Sequence, residues 1–153
     1  MSSRQKKNFT LHTHQKQKTM QKIKTALLSY GMSGKVFHAP FLALHPGFEL
    51  VGSWERSKKL IQLDYPDVTS YPSLEAVLES DATLIVVNTP VGTHFEYAKQ
   101  VLLAGKHAIV EKAFTTTLAE AQELTELAQA KGLKLAVFQN RRWDSDFKTV
   151  QKI

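Results

Sequence analysis

The stretch ATLIVVN at residues 82–88 is almost continuously apolar. A strand with one wet face alternates apolar and polar side chains; a strand without alternation has to be covered on both faces. That requirement points to a parallel sheet between two layers of helices, and the rest of the chain alternates accordingly. IKTALLS (23–29), FELVGSW (48–54), residues 68–71, HAIVEK (107–112) and KLAVFQ (134–139) read as further strands. Between them the spacing predicts helical segments over 34–45, interrupted near Pro40, then over KKLIQL (58–63), after Ser73 as N-cap, over 92–104 and over 117–131. Gly105 and Gly132 are placed to end the last two of these, and a final helix starts near Asp144. His94, Tyr97, Ala98, Val101 and Leu102 form one apolar stripe. Strands alternating with helices define an α/β, doubly wound parallel sheet of about six strands.

The 153 residues suffice for one compact domain. No apolar run approaches the ~18 residues of a membrane span, and the N-terminus has no apolar signal region. There are no cysteines, which excludes disulfides, thiolate catalysis and cysteine-ligated zinc. A cytoplasmic protein without membrane contact is the expectation. The net charge of +6 is concentrated: residues 1–19 hold Arg4, Lys6, Lys7, Lys16 and Lys18 with no acid, leaving +1 for the remainder. Residues 1–21 are therefore expected to be a disordered basic tail, with Met20 as the natural start and 22–153 as the folded domain. Five cations in a tail give weak, salt-sensitive contact with nucleic acid, and no specific nucleic-acid partner is expected.

Between the first strand and the first helix stands Ser29-Tyr30-Gly31-Met32-Ser33-Gly34. It matches the G-x-G-x-x-G dinucleotide turn with serine in place of the first glycine. Gly31 occupies the position that lets backbone approach a pyrophosphate, and Gly34 the position that lets the helix pack on the sheet. Ser29 is compatible with the turn at negative φ. The helix N-terminus that follows suits an anion. Glu55 ends the second strand 21 residues after Gly34, close to the spacing of a ribose-binding carboxylate. The carboxylate favours NAD; the adjacent Arg56 suits the 2′-phosphate of NADP. The pair leaves both open.

Four segments in order, YGMSGKVFHAPF, NTPVGTHFEYA, AGKHAIVEKAF and FQNRRWDSDF, resemble the N-terminal half of the Gfo/Idh/MocA family of NAD(P)-dependent oxidoreductases. The resemblance implies a Rossmann domain followed by a larger α/β domain that carries most of the substrate pocket and usually the oligomer interface. That second domain is missing from this sequence, which stops inside its last helix. The family's partners are a nicotinamide dinucleotide, a small hydroxyl substrate in the full-length form, and other copies of itself.

The resemblance places Asn88, Thr89, Pro90 and His94 along the cofactor, although His94 also sits on the apolar stripe of its helix. It places Glu111 and Lys112 at the nicotinamide, with Lys112 as the catalytic residue that stabilises the developing alkoxide. The family pattern is glutamate-lysine-proline; here Ala113 stands in the third place. If the turn needs the cis geometry that proline makes accessible, Lys112 points differently in this chain. Asn140 and Arg142 are expected at the nicotinamide end, Arg141 in solvent, and Trp143 against the second domain. Asp144 and Asp146 are expected as helix-start acids. The general acid/base of the family comes from the second domain. The implied activity is hydride transfer between nicotinamide and a sugar, polyol or related hydroxyl compound, with this fragment alone inactive. The alternative is a non-catalytic dinucleotide-binding or redox-sensing module.

Overall fold

A computed structural model of the chain describes residues 21–153. The basic tail and the start at Met20 therefore lie, but for residue 21, outside the described residues.

Six strands form one parallel sheet in the order β3-β2-β1-β4-β5-β6. They are β1 (Ile23–Leu27), β2 (Phe48–Trp54), β3 (Thr69–Tyr71), β4 (Leu84–Val87), β5 (His107–Val110) and β6 (Leu135–Val137). Six helices connect and follow them: α1 (Ala39–Leu44), α2 (Ile61–Asp64), α3 (Leu74–Glu79), α4 (His94–Leu103), α5 (Leu118–Ala130) and α6 (Ser145–Val150). Strand order reverses between β1 and β4, which lie side by side although β2 and β3 come between them in sequence. The loops at the carboxyl ends of these two strands diverge, and a crevice opens there.

The apolar run that anchors the sequence is β4, whose four residues are all buried. Its side chains alternate between two cores. Ile85 and Val87 join Ala26, Leu28, Val77, Val101 and Leu124 beneath α3, α4 and α5. Val86 joins Leu27, Ala39, Leu42 and Ile61 beneath α1 and α2. Burying a Leu, Ile or Val side chain contributes roughly 1.5–3 kcal/mol, so the two-sided strands supply much of what holds the layers together.

The helix ends follow their sequence signals. Ser73 Oγ accepts from Ala76 N–H at the start of α3. Thr117 and Glu120 cap α5 reciprocally, and Gly105 and Gly132 take φ of +75° and +65° just past α4 and α5. Two regions differ from expectation. Pro40 does not break the helix: helical residues run without a gap from 32 to 44, a π-helical turn over Gly34–His38 passes directly into α1, and Pro40 lies in the first turn of α1. The strands are also shorter than their apolar runs. β1 stops at Leu27, β4 at Val87, β5 at Val110 and β6 at Val137; Leu28, Glu111 and Phe138 still donate a backbone hydrogen bond to the neighbouring strand, and the loops that start at these ends build the crevice. Among the described residues no helix is long and apolar enough to cross a membrane.

Candidate functional site

The crevice is organised by the turn after β1. Ser29 Oγ accepts from Gly31 N–H at 3.2 Å, so the serine closes the turn itself. No non-glycine residue among those described has positive φ, Ser29 included. Ser29 carbonyl oxygen accepts from Asn88 Nδ2 at 2.8 Å, which ties the β1 loop to the β4 loop. Gly34 sits against this junction. A Cβ there would stand 2.4 Å from Ser29 carbonyl oxygen and 3.0 Å from Asn88 Nδ2. Glycine is required at 34 by packing inside the protein. At Gly31 an added Cβ would meet only Ser29 Oγ, at 3.5 Å. The fold leaves that backbone open to approach from outside.

Two cavities meet across the turn, sharing Ser29, Gly31, Thr89 and Pro90 in their walls. The smaller, about 250 Å³, extends to the end of β2, where Trp54, Glu55, Arg56, Ser57 and Lys58 line it. The larger, about 710 Å³, extends under β5 and β6, where Met32, Ser33, Glu111, Lys112 and Asn140 line it.

In the small cavity Glu55 is not a free carboxylate. Its Oε1 and Oε2 accept from Leu60 and Ile61 N–H, both at 3.1 Å, where α2 begins. Arg56 and Lys58 are exposed, and among the described residues neither forms an ion pair. Trp54 packs edge-on against Tyr97, with ring centroids 5.7 Å apart.

In the large cavity the polar groups converge on Glu111. Its Oε1 accepts from Ser33 Oγ at 2.6 Å and stands 2.8 Å from His38 Nε2; its Oε2 accepts from Lys112 N–H at 3.2 Å. Burial pushes the His38 pKa below its ordinary value, with Glu111 pulling the other way. Burial pushes Glu111 up, but the bonds from Ser33 and His38 outweigh it and hold the carboxylate below its ordinary range. His38 is thus neutral at pH 7 and donates through Nε2–H to an ionised Glu111. Its ring leans on Phe138, centroids 4.4 Å apart. Lys112 is exposed in the cavity wall, and the peptide from Lys112 to Ala113 is cis. The cis geometry that proline makes accessible is present here with alanine.

Two expected ligand contacts do not reach the crevice. His94 is 1% exposed, and its ring nitrogens stand 2.8 Å from Ala113 carbonyl oxygen and 2.7 Å from Thr89 carbonyl oxygen. It pins the β4 loop to the β5 loop and lines neither cavity. Arg142 lies over the Trp143 ring, 5.9 Å from its centroid, and Arg141 lines the large cavity instead, paired with Asp144 at 2.8 Å. Residues 140–143 form a 3₁₀ turn, and at three residues per turn neighbouring side chains point about 120° apart. One residue of register therefore exchanges the two roles. Trp143 is two-thirds exposed. His38 was not singled out from the sequence. Its signal was present, a histidine inside an otherwise apolar stretch, but its partner lies 73 positions away.

Strand order, crevice and glycine turn together define a dinucleotide-binding α/β domain of the Rossmann class. The family model described as "Oxidoreductase family, NAD-binding Rossmann fold" matches residues 23–139, and the chain belongs to this Gfo/Idh/MocA family. An uncharacterised oxidoreductase of Schizosaccharomyces pombe is 46% identical over 140 residues, covering 88% of this chain and 38% of the relative. The scyllo-inositol 2-dehydrogenase (NADP(+)) IolW of Bacillus subtilis is 37% identical over 132 residues, covering 86% of this chain and 37% of its own length. The crystal structure of GenD2 from gentamicin A biosynthesis, in complex with NAD, superimposes with a TM-score of 0.81 at 25% identity, over 88% of this chain and 39% of that one. The chain thus spans under two-fifths of the length of these relatives. The residues present fit a nicotinamide dinucleotide: an open backbone at Gly31, a helix held close by Gly34, and a cavity on each side.

Proposed function

We propose that residues 22–153 form the nucleotide-binding part of an oxidoreductase acting on a sugar, polyol or related hydroxyl compound. The observation that carries this is the shared rim. One turn, Ser29–Gly34, borders two cavities at the point where strand order reverses. A dinucleotide is two nucleosides joined by a pyrophosphate, and the rim is where the pyrophosphate belongs. Gly31, Met32 and Ser33 supply backbone there. Trp54 and Arg56 serve the adenosine side, with Thr89 and Pro90 along the middle. Glu111, Lys112, Asn140 and Arg141 serve the nicotinamide side.

When bound, the nicotinamide supplies the hydride-accepting carbon. The chain's own residues do the rest. The Lys112 ammonium lies at the large cavity, where a substrate hydroxyl would sit beside the ring. It donates a hydrogen bond to that oxygen and stabilises the negative charge that develops as the carbon gives up hydride and the oxygen gives up its proton. Glu111, held by Ser33 and His38, fixes the Lys112 backbone through its N–H. The remaining substrate contacts, and the group that takes the proton, belong to residues outside these 153. A cytoplasmic setting suits this chemistry.

Equilibrium dialysis of the folded chain with NADH and NADPH tests the reading. Saturable binding of either, displaced by ADP-ribose, is expected. A folded chain that binds neither at millimolar concentration overturns it. In a chain extended to the length of the relatives, Lys112→Met lowers kcat by about 10²–10³ with little change in dinucleotide affinity.

A further inference from the structure

We propose that Ser33 and His38 are positioning residues: their hydrogen bonds hold the Glu111 carboxylate in place and so keep it from capturing the neighbouring Lys112 ammonium. The inference rests on the role given to Lys112 above and adds what keeps that lysine available to a substrate oxygen.

Glu111 and Lys112 are neighbours in sequence and line the same cavity. Opposite charges this close attract, and the flexible lysine stem allows the ammonium to fold back onto a carboxylate. Among the described residues, however, the two side chains form no ion pair. The reason lies in how the carboxylate is occupied. Oε1 takes the Ser33 hydroxyl at 2.6 Å and His38 Nε2 at 2.8 Å, and Oε2 takes the Lys112 N–H at 3.2 Å. A carboxylate has about four lone-pair sites, so little of it is left to offer. Glu111 and His38 are buried, whereas Lys112 is exposed. Glu111 is the only acid in the wall of this cavity, and the other cation there, Arg141, is paired with Asp144. Released from its donors, Glu111 is therefore the anion to which Lys112 would turn.

The helix start is shaped to deliver both donors. Ser33 and His38 are five positions apart, and on a regular α-helix that spacing sets side chains about 140° apart around the axis. Here the Ala39 N–H donates to Gly34 carbonyl oxygen, five residues back, and Gly34–His38 form a π-helical turn. The wider turn brings positions five apart to nearly the same side, and Ser33 and His38 reach a single oxygen from it. Single π turns of this kind are rare and recur at functional sites. Phe138, just past the end of β6, backs the His38 ring with centroids 4.4 Å apart. Burial favours the neutral imidazole. The ring thus donates to Glu111 without placing a second positive charge beside Lys112.

The test uses the 153-residue chain without dinucleotide. Brief treatment with acetic anhydride is followed by peptide mass spectrometry, and acetylation of Lys112 is measured relative to the exposed Lys58 and Lys59. An ammonium held by a carboxylate gives up its proton less readily and reacts more slowly. In His38→Phe the relative rate at Lys112 is expected to fall about threefold, the size of one exposed ion pair. His38→Gln keeps an N–H near the place of Nε2–H and is expected to react like the parent chain. Adding Glu111→Gln to His38→Phe is expected to restore the rate, because an amide does not hold an ammonium. Ser33→Ala removes the other donor and leaves the buried ring in place, so it gives the same direction should His38→Phe fail to fold; circular dichroism establishes the fold of each variant. In a chain extended to the length of the relatives, His38→Phe is expected to lower kcat with the KM for dinucleotide unchanged, and Glu111→Gln to recover part of the loss. An unchanged Lys112 rate in the folded His38→Phe and Ser33→Ala chains overturns the inference. A slow rate that Glu111→Gln does not restore overturns it too, since the loop has then simply collapsed. These outcomes leave the nucleotide site standing. A parent chain that binds no dinucleotide by dialysis removes the role of Lys112, and the inference with it.

Discussion

The two cavities share a rim but are furnished differently. On the Lys112 side the polar groups hold one another: Ser33, His38 and the Lys112 N–H all converge on Glu111. On the Arg56 side only the carboxylate is tied, and the cations beside it stand unpaired among the described residues. Groups bonded before a ligand arrives are fixed in place and contribute orientation. Groups left unbonded contribute discrimination, since their charge is satisfied only by the right partner.

The largest expected effect strikes both ends at once. Gly34→Val puts a side chain where a Cβ would already be 2.4 Å from a backbone oxygen, so the turn has to move. A loss of about 3 kcal/mol in urea unfolding is expected, at the upper end of what overpacking usually costs, with dinucleotide binding abolished. A variant of native stability that still binds would break the idea of a common rim.

His38→Ala separates the ends. It strips the carboxylate of a buried donor and should cost about 1–3 kcal/mol, again read from urea unfolding. Affinity for 5′-AMP, a probe of the small cavity, should not change. A parallel loss of AMP affinity would mean that the two ends are mechanically coupled.

Acid should loosen the same cluster. His38 has a folded pKa below its ordinary 6.5, so its contribution to stability is complete above pH 6.5 and is lost as pH falls through the folded value. Glu111 is likewise held below its ordinary 4.5, so its contribution is lost only further down, below pH 4.5. Stability measured against pH should decline in these two windows. His38→Phe should flatten the first. A stability that rises from pH 7 to pH 5 would contradict the neutral histidine.

The smallest effect sharpens the contrast by lying outside it. Thr117→Ala removes the cap of α5 and should cost about 1 kcal/mol, with no change in affinity for any nucleotide. A shift in affinity there would show that the crevice responds to stability in general.

How much of this was legible in the sequence depends on the range of the interaction. β2 runs from Phe48 to Trp54 as the pattern predicts, and the Ser73 cap forms as expected, because strand period and capping are set within a few residues. Ser29 takes the place of a glycine because its own hydroxyl closes the turn. The strand ends were less legible. Apolar periodicity continues through Leu28 and Asn88, whereas the ladder stops where the loops part. Side-chain aim was least legible. Arg141 and Arg142 exchange roles over one step of a 3₁₀ turn, Glu55 is captured by amides five and six residues on, and His94 is held from both sides by carbonyls on two loops. The cluster on Glu111 joins residues more than seventy positions apart, and no local pattern announces it.

The outermost strands, β3 and β6, have three residues each. Their free edges therefore offer only about 10 Å of unpaired backbone at some 3.3 Å per residue. Such an edge is too short to template the addition of strands from another molecule, the usual route to fibres. The apolar side chains left in solvent, among them Phe41, Leu44, Leu63, Trp143 and Val150, stand on helices and turns and not on these edges. In the folded state, contact between copies of this chain therefore falls to side chains on helices and turns and not to the backbone of the sheet edges.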